Sequence, residues 1–263
     1  MDLGLRGRTA LITGADSGIG WHTARLLLEE GARVAVTDLD QDALDAAAAD
    51  LPGPVTAVAA DLTDPAAVDR LHREVVAAVG EPGILVHAAG VTGAQGLFHE
   101  IDDEGWRSTL DTDFLAAVRV VRAFLPGMRS AGRGRVVLLA SEDAVQPYPD
   151  ELPYCAAKAA VLSLVKGLSK TYGREGILVN AVSPAFIATP MTDAMMAERA
   201  QERGGGVQEA IESFLDEERP FMELKRRGEP EEVAAVIAFL VSERASFVTG
   251  SNYRVDSGSV ATI

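Results

Sequence analysis

Thr13-Gly14-Ala15-Asp16-Ser17-Gly18-Ile19-Gly20 closes the apolar run Thr9–Thr13 and opens a helix-compatible run from Ile19 to Glu30. Strand, glycine-rich turn and helix is the context in which N–H groups at a helix start hold a dinucleotide pyrophosphate. The three glycines have separable tasks: Gly14 permits a tight turn, Gly18 lets backbone approach the phosphates, and Gly20 lets helix pack closely on strand. Outward from this loop, short β-rich runs alternate with helical ones, the order of βαβ units and a parallel sheet. Strands are expected near Thr9–Thr13, Arg33–Asp38, Val55–Ala60, Ile84–Ala88, Arg135–Ala140, Leu178–Ser183 and Ser251–Val255. Helices are expected over Ile19–Glu30, Gln41–Asp50, Pro65–Val79, Asp103–Arg129, Pro153–Gly173 and Pro230–Ser242. Pro65 and Pro230 stand at helix starts, where a residue without an N–H fits. The pattern predicts an α/β, doubly wound sheet of about seven parallel strands, covered by helices on both faces, with ligand at the strands' carboxyl ends.

One segment breaks the rhythm. Residues 188–220 carry Met191, Met195 and Met196, then Gly204-Gly205-Gly206, then an acidic stretch, and are too long for an ordinary connection. They read as a helical lid over a substrate with the glycines as a flexible joint; a disordered surface insertion is the alternative. With no repeat or linker, residues 1–263 read as one domain.

Composition narrows the class. Of 263 residues, 48% are apolar and 24% charged, as in soluble globular proteins. No apolar run reaches the roughly 18–20 residues of a membrane span, and the N-terminus lacks the order of a secretory signal. A net charge of −15 argues against nucleic acid or anionic membrane as partner. Cys155 is the single cysteine, which excludes an internal disulfide and a multi-cysteine metal site; no metal is expected, and the cytoplasm is the expected compartment.

Two further features carry chemistry. Asp38 ends the second expected strand, 18 residues after Gly20, where a carboxylate accepts hydrogen bonds from ribose hydroxyls. With Asp16 in the loop, it would repel the 2′-phosphate of NADP, so NAD is the expected cofactor. Far downstream, Tyr154-Cys155-Ala156-Ala157-Lys158 places a phenol and an ammonium one helical turn apart. A free tyrosine titrates near ~10; a neighbouring cation favours the phenolate and makes it a usable acid/base.

The glycine spacing G-x-x-x-G-x-G and the downstream Tyr154/Lys158 pair, about 140 residues later, together resemble the short-chain dehydrogenase/reductase family, from Gly7 to Gly258. The resemblance implies a Rossmann-like fold and an NAD-dependent oxidoreductase interconverting secondary alcohol and ketone. It also implies a set of cofactor contacts: the loop residues Gly14, Asp16, Ser17, Gly18, Ile19 and Gly20, Asp38-Leu39 at the ribose, and Asp61-Leu62 at the adenine. Ala88-Ala89-Gly90 match the end of the family's Asn-Asn-Ala-Gly signature, with His87 in the first Asn position as a structural residue. Pro184, Ile187 and Thr189 match the segment that holds the carboxamide, where Ala185 replaces the family's glycine. Ser141, 13 residues before Tyr154, would hold the substrate oxygen, Tyr154 would act as acid/base, and Lys158 would also bind the nicotinamide ribose. Trp106 sets the register of the fourth catalytic position, usually asparagine, which here is Asp113. Two readings of Asp113 stand: it keeps the family's water relay with altered pH dependence, or the relay is weakened.

By the same resemblance, Glu142, Asp143, Gln146 and Tyr148 sit at the substrate entrance. The two carboxylates there could select a polar, polyhydroxylated or amine-bearing substrate, or be plain loop charges. Phe186, Met191 and Met195 suggest apolar, adaptable walls. Cys155, adjacent to Tyr154, points elsewhere on the helix, into packing or a subunit contact. The family analogy implies a homotetramer. The competing readings are an NADPH-dependent ketoreductase of acyl or polyketide chains, and a non-catalytic NAD(H)-binding sensor or scaffold.

Overall fold

The computed structural model describes residues 2–262. Its strands are β1 (Thr9–Thr13), β2 (Arg33–Thr37), β3 (Val55–Ala57), β4 (Ile84–His87), β5 (Gly134–Leu139), β6 (Ile177–Pro184) and β7 (Asn252–Val255). They form one sheet in the order β3-β2-β1-β4-β5-β6-β7, with every pairing parallel. From β1 the chain builds outward to β2 and β3, then returns to place β4 on the other side. The crevice between the β1 and β4 ends is therefore the switch point at which such sheets bind ligands.

Helices α1 (Gly18–Glu29) and α2 (Gln41–Ala49) follow β1 and β2. After β3 comes α3 (Pro65–Val79); after β4, α4 (Asp103–Leu110) and α5 (Ala116–Ser130); after β5, α6 (Leu152–Tyr172). After β6 come α7 (Pro190–Arg203), α8 (Val207–Glu217) and α9 (Pro230–Val241). Starts are set locally: Asp40 and Asp64 accept hydrogen bonds from the N–H groups of Ala43 and Ala66, and Pro65 and Pro230 open α3 and α9.

Because side chains alternate across a strand, both faces of the sheet need apolar cover. Leu11, Val136 and Leu138 face Leu71, Val75, Phe124 and Val161 of α3, α5 and α6. Ile12, Val137 and Leu139 face Ala24 and Leu27 of α1 and Val233 and Ile237 of α9. A third, smaller cluster joins Phe186, Met196, Phe214, Leu215 and Met222 and seats α7 and α8 beside the sheet's carboxyl edge.

Several boundaries differ from the sequence reading. β3 ends at Ala57, although Val58 and Ala60 still donate to the Val36 and Asp38 carbonyls, and on the free edge the Ala59 N–H is met by the Gln41 side chain. The single helix expected over Asp103–Arg129 is interrupted by a wide π-type turn at Asp111–Leu115. Residues 188–220 hold α7 and α8, and the triple glycine is the turn between them. Gly204, with φ of 71°, ends α7 in the left-handed conformation that glycine adopts freely.

Candidate active site

A cleft of about 640 Å³ opens at the carboxyl ends of β1, β2, β4, β5 and β6, roofed by α7, α8 and the segment after them. At one end the loop after β1 leaves little room for a side chain at its glycines. A Cβ on Gly14 would lie 2.5 Å from the Ala89 nitrogen, and one on Gly20 would collide with the Gly14 carbonyl. Gly18 has φ of 51° and its Cβ would meet Thr189 at 3.2 Å. Ser17 precedes α1 but makes no side-chain cap; its hydroxyl donates instead to Asp16 at 2.8 Å. The first N–H groups of α1 are thus left to face an anion in the cleft.

Asp38 lies just past β2. Its carboxylate accepts from the N–H groups of Leu39 (2.8 Å) and Asp16 (3.2 Å). Burial pushes its carboxyl above the usual range, the two N–H groups pull it down, and the Asp16 charge raises it. Asp16, Ser17, Ile19, exposed Leu39, Asp61 and Leu62 line this end with the glycines. Asp61 accepts from both the hydroxyl and the N–H of Thr63, which lowers its carboxyl. Across the cleft stand Ala88, Ala89 and Gly90 after β4, and Pro184, Ile187 and Thr189 after β6. The Thr189 hydroxyl accepts from the Thr192 N–H at the start of α7. His87 lies beneath, buried against the Thr13 hydroxyl at 3.0 Å; burial, then the Lys158 charge, pushes it down to about 3, so it is neutral.

The chemical end is built from β5, α6 and the wide turn. Ser141 follows β5 and its hydroxyl accepts from the Asp143 N–H at 3.3 Å. Tyr154 and Lys158 share one face of α6, with Lys158 Nζ 5.2 Å from the centre of the Tyr154 ring. The wide turn swings Asp113 inward, where its Oδ1 lies 3.2 Å from Lys158 Nζ and accepts from the Val91 N–H at 3.1 Å. Both partners are buried, and Gly90 makes room for them: its Cβ would lie 2.6 Å from Asp113 Oδ1 and 3.1 Å from Lys158 Nζ. Burial raises the Asp113 carboxyl and Lys158 opposes it.

This pairing changes the expected electrostatics of the phenol. Lys158 alone would favour the phenolate, but here its charge is met by Asp113. Removal from water, then the charges of Asp143 and Asp113, push Tyr154 well above an ordinary tyrosine, and hydrogen bonding with Ser141 pulls the other way.

Glu142 and Asp143 follow Ser141 in a single tight turn and line the cleft. Glu142 forms a buried ion pair with Arg219 at 2.9 Å. Burial, then the charges of Glu151 and Glu142, raise Asp143 to about 7, against Arg219 and Ser141, which lower it. Phe186, Met191 and Met195 line the opposite wall, while Met196 is buried in the packing of the α7–α8 pair. Gln146 and Tyr148, expected at the entrance, do not line the cleft. Gln146 bonds the Ser259 carbonyl and the Ala261 N–H and so ties down the C-terminal segment. Tyr148 lies under the Arg219 guanidinium, 3.5 Å from ring centre to carbon. Cys155 is buried with its thiol raised to about 11 by burial, which leaves it unreactive. Arg219, Glu151 and Phe214 also line the cleft and were not anticipated. The signal for Arg219 was its position: a base closing the acidic run Asp216-Glu217-Glu218, just before Pro220.

A switch-point crevice with a glycine cradle at one end and a Ser–Tyr–Lys set at the other defines a dinucleotide-dependent α/β oxidoreductase. The family model described as enoyl-(acyl carrier protein) reductase matches residues 14–260, and the chain belongs to the short-chain dehydrogenase/reductase family. It is 36% identical to meso-2,3-butanediol dehydrogenase of Serratia marcescens, over 97% of this chain and 95% of that one. It is 35% identical to cis-4-hydroxycyclohexanecarboxylate dehydrogenase of Sinomonas cyclohexanicum, over 97% of each. The structure of L-sorbose reductase from Gluconobacter frateurii, complexed with NADPH and L-sorbose, superposes with a TM-score of 0.93 at 36% identity, covering both chains in full. The chain is a nicotinamide-dinucleotide-dependent oxidoreductase of alcohol/ketone substrates. Among the described residues no helix is long and apolar enough to cross a membrane.

Proposed function

We propose that the protein interconverts a secondary alcohol and a ketone with NAD as cofactor and Tyr154 as general acid/base. The observation that carries the reading is the convergence of Ser141, Tyr154 and Lys158 on one cleft whose other end holds glycines at positions where a Cβ would collide or φ is positive. Gly14, Gly18, Gly20 and the start of α1 would hold the pyrophosphate, Asp38 the adenosine ribose, and Lys158 the nicotinamide ribose. The bound cofactor supplies a hydride acceptor or donor. In the oxidation direction the hydroxyl proton passes to Tyr154 Oη, while Ser141 Oγ holds the substrate oxygen in line. Lys158 favours the phenolate by its charge, and Asp113 both orients the ammonium and reduces its field, so full activity is expected at alkaline pH.

Cofactor choice follows from charge at the β2 end. Asp16 and Asp38 line it, and the cations lining the cleft among the described residues, Lys158 and Arg219, stand by the chemical end. A 2′-phosphate there meets two carboxylates and no base. The reading extends to a helical lid over about residues 188–220 and to a cytoplasmic homotetramer. Light scattering tests the tetramer. The function is tested by initial rates of reduced-nicotinamide formation from a panel of aliphatic, cyclic and sugar alcohols, with NAD beside NADP. Turnover with higher kcat/KM for NAD supports it. A preference for NADP would favour the ketoreductase reading, and tight NADH binding without turnover of any alcohol the sensor reading.

A further inference from the structure

Asp143 is a buried carboxyl that the proposed proton and hydride transfer does not use. Only 5% of the residue is exposed, it lines the cleft, and its Oδ1 has no hydrogen-bond partner among the described residues. A buried acceptor left unmet costs about 1–3 kcal/mol, so a group that donates to it is bound preferentially. The atom sits next to the chemistry. The Asp143 N–H donates to Ser141 Oγ, and the Asp143 charge acts directly on the Tyr154 phenol.

Its neighbours are partly committed. Glu142 gives one oxygen to Arg219 Nε at 2.9 Å, while its other oxygen, like Asp143 Oδ1, has no hydrogen-bond partner among the described residues. The Arg219 guanidinium is stacked on Tyr148 at 3.5 Å, faces Phe214 at 4.9 Å, and donates to the Glu218 carbonyl at 3.1 Å. Its charge is thus met by Glu142 and its faces are covered, so it is poorly placed to grip a substrate carboxylate. Asp143, Glu142 and Glu151 all carry carboxyls raised by burial, a surrounding in which an added anion is unfavourable. With its carboxyl near 7, Asp143 can both accept from and donate to a hydroxyl, the complement of a polyol.

Resting on the proposed alcohol–ketone chemistry, we propose that Asp143, braced by the Glu142–Arg219 pair, binds a second hydroxyl near the reacting carbon. The enzyme thereby selects neutral polyhydroxylated alcohols and ketoses over monofunctional alcohols and over sugar acids. Met191, Met195 and Phe186 on the far wall would cover the substrate's carbon chain.

The test measures kcat/KM with NAD for butane-2,3-diol, a neutral hexitol, the matching aldonate and butan-2-ol. Wild type, Asp143→Asn and Asp143→Leu are compared, with thermal melting to establish that each variant folds. The expected result is an advantage of about tenfold or more for diol and hexitol over butan-2-ol, one hydrogen bond to a charged group. That ratio falls toward one in Asp143→Leu, through KM more than kcat, and is partly kept in Asp143→Asn, whose amide still bonds hydroxyls. Equal use of butan-2-ol and the diol, preference for the aldonate, or a ratio unmoved by Asp143→Leu overturns the subsite and leaves the oxidoreductase reading standing. Absence of turnover with every alcohol overturns both.

Discussion

Replacing Asp113 by asparagine keeps the side chain's shape and removes one buried negative charge from beside the Lys158 ammonium. The carboxylate is 3.2 Å from Lys158 Nζ, itself 5.2 Å from the phenol ring centre, so charge and ring are about 8 Å apart at most. At an effective dielectric of about 20, one charge at about 8 Å is worth about 2 kcal/mol, or about 1.5 pH units. The sign follows from the direction of the effect: Asp113 raises the phenol, so its loss lowers it. In alcohol oxidation Tyr154 must be deprotonated to act as base, so activity rises with pH through its pKa. The acid limb of log kcat/KM against pH is therefore expected to move to lower pH by about 1 to 1.5 units in Asp113→Asn. The profile should be recorded at saturating NAD, because Lys158 also contacts the cofactor in the proposed site. A limb that stays within about 0.3 units of wild type would show that Asp113 is protonated or electrostatically silent, and would refute its role as the charge opposing Lys158.

Gly90→Ala puts a methyl carbon 2.6 Å from Asp113 Oδ1, so thermal melting should report a loss of about 3 kcal/mol, with activity falling at least tenfold. Asp38→Ser should raise the ratio of NADP to NAD kcat/KM more than tenfold, read from paired saturation curves; an unchanged ratio contradicts the placement of ribose at Asp38. Phe124→Ala empties a fully buried site packed against His72 and the α3–α6 face. About 3–5 kcal/mol and about 10 °C in Tm should be lost, with KM for NAD little changed.

Much of this site is legible in the sequence because it is encoded locally. Gly14, Gly18 and Gly20 fall at positions where a Cβ collides or φ is positive, so chain geometry alone demands glycine there. Strand ends are legible for a similar reason, since both faces are covered and the strands read as continuous apolar runs. The wide turn at Asp111–Leu115 was hidden because apolar periodicity runs on through Phe114, Ala117, Val120 and Val121. Its consequence, the Asp113–Lys158 pair, could not be read from a register that fixes only position. Arg219 was hidden by distance: its partner Glu142 is 77 residues away, and its place after Asp216-Glu217-Glu218 is a local signal that does not name a partner. Tyr148 and Gln146 were placed at the entrance by their nearness to Ser141 in the chain, but one floors Arg219 and the other anchors the C-terminal segment.

Deuterium transfer tests the central claim most directly. The protein is incubated with NAD and butane-2,3-diol carrying deuterium on its carbinol carbons, and the reduced cofactor is isolated and weighed by mass spectrometry. The account predicts reduced cofactor carrying one deuterium from wild type, and loss of at least about a thousandfold in its rate of formation in Tyr154→Phe, which folds and binds NADH as wild type does. Reduced cofactor without deuterium, or a Tyr154→Phe variant that forms it at the wild-type rate, would contradict hydride transfer governed by Tyr154.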